Sequence, residues 1–158
     1  MELDRLLAMA EASGIPVEER PLKTYDGRIK NNKIYLRQNM TSVQKKCVLA
    51  EELGHYHTTV GEIIDQSNTA NRKQEARARL WAYTHIITLL DIARAYKRGC
   101  HTLYDMAEHL DVTEEFLQDA LQTYKSKYGT GIKIKDYYVS FEPSFSVYES
   151  FPQTEEVD

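Results

Sequence analysis

The chain has 158 residues and a hydrophobic fraction of 42%, enough to build a real core in one domain, or in one domain with a small appendage. Its net charge of -4 gives no bulk attraction for nucleic acid or an anionic membrane, so any such binding needs a local patch. No stretch approaches the roughly 18 apolar residues of a membrane span, and Met1 to Arg5 open an amphipathic pattern rather than a secretory leader. Cys47 and Cys100 stand far apart in helical surroundings and read as separate thiols of a reducing compartment. A cytoplasmic protein is expected.

Residues 2–13 predict a short helix, with Leu3, Leu6, Leu7 and Ala10 on one stripe and Gly14 as its stop. The period then changes. Asp26-Gly27 and Asn31-Asn32 are turn signals, Ile34-Tyr35-Leu36 is strand-like, and residues 15–37 read as a small antiparallel sheet. Thr41-Ser42-Val43-Gln44 fits a capping box and opens a helix expected to run to about His57. Its buried face is marked by Val43, Cys47 and Ala50, with Leu49 and Leu53 beside it. Residues 58–70 read as a loop, and residues 71–96 as one long central helix ended by Gly99. Residues 102–110 and 113–128 predict two further helices, stopped by Gly129. From Tyr137 the apolar residues alternate, as in a strand or an extended segment lying on the domain, and the acidic stretch 150–158 is expected to be disordered.

Glu51-Glu52-Leu53-Gly54-His55 carries the chemistry. Glu51 and His55 are four apart, hence on one helix face one turn apart, a spacing at which two side chains can grip one metal ion. In the H-E-x-x-H motif both histidines bind zinc and the glutamate takes a proton from the attacking water. Here Glu51 stands in the first ligand position, where a carboxylate is an acceptable zinc donor, and Glu52 stands in the general-base position. A third ligand is needed. Glu75 is the candidate, because it lies near the start of the next helix among small residues that would let the two helices approach. His57 points roughly 200° around the helix from His55, and His85 lies about 15 Å beyond Glu75 along the helical rise. His57 could reach the same ion only if the helix ended at once, His85 does not suit it, and His101 and His109 belong to later helices. On its own, E-E-x-x-H also occurs as an ordinary solvated face.

The surrounding text raises the functional reading. Val48 to Tyr56, followed by Gln74 to Ala82, resembles the ImmA/IrrE family of metallopeptidases, as does the order of a helix, a small sheet and the motif helix. Met106 to Phe116 is similar to the later region of phage and mobile-element members. The resemblance covers most of residues 1–130. It implies a zinc site in which His55 and Glu75 are ligands and Glu52 is the catalytic base. Position 51 departs from the family pattern. The resemblance also implies a protein substrate, since phage members act as anti-repressors that cleave or disable a helix-turn-helix repressor.

Two carboxylates and a neutral imidazole would formally cancel the charge of Zn²⁺ and acidify a bound water less than a net positive site does. The helix pair 102–110 and 113–128 has the outline of a DNA-reading unit, but no Lys or Arg occurs in residues 111–124, whereas Asp111, Glu114, Glu115 and Asp119 do. A recognition helix needs donors for phosphates and base edges, so the charges argue against direct DNA binding and suit contact with a basic protein surface.

The expected architecture is α+β, a small antiparallel sheet packed beside a helical bundle with a zincin-like motif helix. It divides into a metallopeptidase-like core at 1–98, a helix-turn-helix-like pair packed on it at 99–131 and an extended tail at 132–158. The expected function is zinc-dependent cleavage of a repressor, and the alternative is a non-catalytic protein that disables the repressor by contact. Ile34-Tyr35-Leu36 is expected to border the cleft and to receive an extended substrate by strand addition.

Overall fold

The structure, a computed structural model, describes residues 1–59 and 68–149. Helix α1 (Leu3–Ala12) turns Leu6 and Ala10 into the core and is followed by Gly14 at φ 73°, a left-handed position where a side chain would be strained. Strands β1 (Val17–Arg20), β2 (Gly27–Lys30) and β3 (Lys33–Arg37) form a sheet in the order β1-β3-β2. The β2–β3 hairpin turns on Asn31 and Asn32, whose φ values of 52° and 57° are those of a two-residue type I′ turn. Pairing of β2 with β3 is antiparallel, as expected, while β1 pairs parallel to β3 with Val17 opposite Ile34.

This order corrects the expected position of Ile34-Tyr35-Leu36. Strand β3 is central, with both edges already paired, and among the described residues the free edges belong to β1 and β2. The reason lies in the side chains. Ile34 and Leu36 are buried, and the strand carrying the sheet's apolar face gains most from the middle position.

Helix α2 (Ser42–Thr58) begins at the expected capping box. The Thr41 hydroxyl accepts from the Gln44 amide at 3.1 Å, and the Gln44 side chain accepts from the Thr41 amide at 2.9 Å. Its buried face holds Cys47, Leu49, Ala50, Leu53 and Gly54, and also Lys46, whose ammonium donates to Asp111 Oδ2 at 3.3 Å.

The single helix expected at 71–96 is two. Helix α3 (Asn68–Ile86) begins inside the stretch read as a loop, of which residues 60–67 lie outside the described residues. Helix α4 (Leu89–Lys97) starts afresh after Thr88, which forms a second capping box with Asp91. The box satisfies backbone donors that a continuous helix would have bonded internally. Packing of α2 against α3 is the most extensive between elements.

Helices α5 (Leu103–Leu110) and α6 (Glu114–Tyr128) follow as expected, with Asp111 in the left-handed region at φ 55° between them. Phe116, Leu117, Ala120 and Tyr124 on α6 are buried against the core, and the Tyr124 hydroxyl donates to the Ile87 carbonyl at 2.9 Å. The segment read as extended is a three-stranded antiparallel meander, β4 (Gly131–Ile134), β5 (Tyr137–Ser140) and β6 (Ser146–Glu149). Its Val139 and Val147, with Phe141 just after β5, join the same buried cluster as the helices. The disorder expected for 150–158 concerns residues outside those described. Among the described residues, six helices beside two small sheets make the fold α+β. Among the described residues no helix is long and apolar enough to cross a membrane.

Candidate functional site

The buried face of α2 decides where the motif points. With Leu49, Ala50, Leu53 and Gly54 inward, Glu51, Glu52 and His55 fall at its margin and are partly buried. Helix α3 approaches that margin at very short range. Gly54 lies against the Ala78 backbone so closely that an added Cβ would overlap the Ala78 carbonyl oxygen. The expectation that small residues let the two helices close up is met at this contact.

The close approach brings Glu75 to His55. His55 Nε2 lies 3.5 Å from Glu75 Oε2, and Arg79 Nε donates to Glu75 Oε1 at 3.1 Å. His57 and His85 do not join them. Both rings stack on Trp81, with centroids 4.9 and 3.9 Å from it. His85 Nδ1 lies 2.7 Å from the Trp81 carbonyl oxygen, which can only accept, so that nitrogen carries the proton.

Glu51 and Glu52 face a cavity of about 290 Å³ between α2, the start of β2 and the start of α6. Burial pushes the Glu51 carboxyl up to about 7. Arg79 opposes the rise, while Asp119, Glu75 and Glu115 add to it. Burial, then Glu51 and Glu75, push the Glu52 carboxyl up to about 7 as well. Glu115 and Asp119 come from the acidic start of α6. Tyr83 of α3 is fully buried, its hydroxyl has no hydrogen-bond partner among the described residues, and Glu51 and Asp119 are the carboxylates that act on it most. Gly27, at the start of β2, has no room for a side chain. A Cβ there would lie 2.5 Å from Val48 Cγ1 and 3.0 Å from Glu52 Cγ.

The sequence reading placed His55 with Glu75 and missed Tyr83, Arg79 and the cavity. Arg79 had a signal, being one helical turn beyond Glu75, at i+4. Tyr83 and the convergence of α6 on Glu51 had none, since residues so far apart in sequence meet only through packing.

The donor set suits zinc in kind, an imidazole nitrogen with carboxylate oxygens. Two ligands about 2.0–2.1 Å from a tetrahedral ion stand roughly 3.4 Å apart, close to the 3.5 Å between His55 and Glu75. Glu51 does not complete the set in this arrangement. Among the described residues no three His, Cys, Asp or Glu side chains form a group that could hold a metal ion.

A motif helix packed against a second helix that carries a glutamate to its histidine follows the layout of a metallopeptidase-type domain at Glu52, His55 and Glu75, and departs from H-E-x-x-H at Glu51. The family comparison agrees: the family model for the IrrE N-terminal-like domain, a peptidase family, matches residues 10–122. The chain belongs to that family. A comparison with curated proteins finds no match.

Proposed function

We propose that the chain is a zinc-dependent peptidase that cleaves a helix-turn-helix repressor of a phage or mobile element, in the cytoplasm of its host. The observation that carries this reading is the His55–Glu75 contact at 3.5 Å, in a chain of a peptidase family. His55 and Glu75 would hold the ion with Glu51, and the ion would supply a Lewis acid at the scissile carbonyl.

Glu52 serves as general base. Its carboxylate oxygen takes one proton from the attacking water and returns it to the leaving amide nitrogen. A carboxyl pushed up to about 7 suits that exchange near neutral pH, because a base works best when its pKa lies near the operating pH. Strand β2, whose outer edge is free among the described residues and whose first residue packs on Glu52, is suited to hold an extended substrate by main-chain hydrogen bonds. The resemblance of residues 106–116 to phage and mobile-element members supports a repressor as the target.

A second reading, a repressor-binding protein without catalysis, is favoured by one observation. Arg79 already supplies Glu75 with a counter-charge at 3.1 Å. Metal analysis of protein purified without added metal, beside His55→Ala, separates the readings, together with Glu52→Gln assayed on the repressor encoded next to this gene. Peptidase action requires zinc in the wild type, its loss in His55→Ala, and metal without cleavage in Glu52→Gln. Equal and poor zinc binding by wild type and His55→Ala would remove the metal site. Repressor inactivation that survives Glu52→Gln would establish the second reading.

A further inference from the structure

We propose that the outward face of the β4–β5–β6 sheet is a stacking platform for a single nucleic-acid strand, bound without regard to its sugar. The sheet lies beyond residues 10–122, the part of the chain that the family model matches. The inference holds whether or not the chain is a peptidase.

Two tyrosines carry it. Strand pairing puts Lys133, Tyr138 and Tyr148 in one row across the three strands, with Gly131, Ser140 and Ser146 in a second row on the same face. The opposite face anchors the sheet on the helices through the buried Val139 and Val147. Tyr138 is 42% and Tyr148 59% exposed, yet neither ring stands out from the sheet. The Tyr138 ring reaches across to β4 and lies over Gly131, where an added Cβ would be 2.5 Å from the phenol oxygen and 2.8 Å from Cζ. Tyr148 leans back along β6, and its hydroxyl accepts from Ser146 Oγ at 3.3 Å. The two rings therefore diverge along the surface with their hydroxyls turned to the sheet. What they offer to solvent is ring surface, on which two unpaired bases can stack.

Charge selects the occupant. The chain as a whole carries -4, so a phosphate backbone needs a local patch of the opposite sign. Residues 123–135 supply one, with Lys125, Lys127, Lys133 and Lys135 and no Asp or Glu. Lys133 shares the row of the tyrosines, and Lys135 stands in the turn that follows β4. Neither has an ion-pair partner among the described residues. Two of the carboxylates near the sheet are occupied, Glu142 by Lys125 at 2.7 Å and Glu149 by Lys97 at 3.9 Å, which leaves Asp136 in the turn. A proline-rich peptide would use the rings and not the lysines, whereas a single strand uses both. A duplex hides its base faces in its own stack. The Ser140 and Ser146 hydroxyls already donate, to the Glu142 carbonyl at 2.9 Å and to Tyr148, so neither is left to donate to a ribose 2′-OH, the group that separates RNA from DNA.

The test is fluorescence anisotropy of the full chain with a labelled oligoadenylate of about a dozen nucleotides, within the usual span of single-strand sites, in its deoxy and ribo forms. Both should bind alike at low salt, with affinity falling as salt rises, and the deoxy strand annealed to its complement should bind at least tenfold more weakly. Tyr148→Ala should weaken single-strand binding about tenfold, and Tyr148→Phe, which keeps the ring, should restore it. Lys133→Gln should weaken binding and flatten its salt dependence. All three substitutions are on the outward face, and a melting curve checks folding.

No binding at low salt, equal affinity for single strand and duplex, or binding that survives Tyr148→Ala would overturn the inference. Displacement by heparin as readily as by unlabelled oligonucleotide would reduce it to charge alone and overturn the stacking platform. A proline-rich peptide bound in place of the oligonucleotide would assign the face to a polypeptide. More than a tenfold preference between the deoxy and ribo strands would overturn the indifference to sugar. Neither metal nor cleavage enters the measurement, so its failure leaves the peptidase reading standing, and failure of the zinc test leaves this one standing.

Discussion

Gly54 of α2 rests on the backbone carbonyl of Ala78 of α3, with no space for even a methyl group between them. Two effects oppose each other at this position. Alanine in place of glycine inside a helix gains roughly 0.5–1 kcal/mol. Overpacking costs typically 1–3 kcal/mol, and here the obstacle is backbone, which cannot swing aside. Gly54→Ala should therefore lower stability in urea unfolding and, by parting α2 from α3, weaken zinc binding through the neighbouring His55. A variant as stable as the wild type would show that the two helices separate freely.

Arg79 competes with a metal ion for Glu75. Its guanidinium donates to Glu75 at 3.1 Å and acts on Glu51 from the same side. Arg79→Met keeps much of the stem's packing and removes the charge. Zinc affinity, measured against a chromophoric chelator, should rise roughly three- to tenfold, since a cation beside a metal site opposes loading. Unchanged affinity would place Glu75 outside the ligand set.

The two cysteines should differ in reactivity. Burial pushes the Cys47 thiol up, although hydrogen bonds with Thr113 and the charge of Lys46 work against the rise. Cys100 is partly exposed, and both are free thiols. Because the thiolate is the reactive form and a raised pKa makes it scarcer at any given pH, a disulfide reagent at pH 8 should modify one thiol quickly in the native protein and both in denaturant. Fast modification of Cys47 in the native state would show α2 opening away from α6.

Thr88 separates two helices by capping the second. Its hydroxyl accepts from the Asp91 amide at 3.1 Å. Thr88→Ala should cost about 1 kcal/mol, read as a lower midpoint in urea with unchanged slope. A gain in stability would mean that α3 and α4 prefer to run as one helix.

That same boundary shows what the sequence hides. Thr88-Leu89-Leu90-Asp91 has the chemistry of a cap, but the apolar period runs straight through it and masks it. The capping box at Thr41 was legible because polar residues precede it, and the helix ends near Gly14, Gly99 and Gly129 were legible because glycine is a local signal. Strand β4 offers only Ile132 and Ile134 as alternating apolar residues, and its turn uses Lys135 at φ 49° in place of the usual glycine or asparagine. The parallel pairing of β1 with β3 is a long-range choice that periodicity does not record. His55 and Glu75 were legible from helical spacing plus one downstream acid. The approach of Glu115 and Asp119 to Glu51 was not, because it depends on how α6 packs.

Lys46 has a consequence for the two helices that wall the cavity. Its ammonium is almost wholly buried and has Asp111, in the turn before α6, as its salt-bridge partner. Pulling α6 away from α2 would break this contact between the two elements. The two walls facing each other across the carboxylates are therefore tied together at one end.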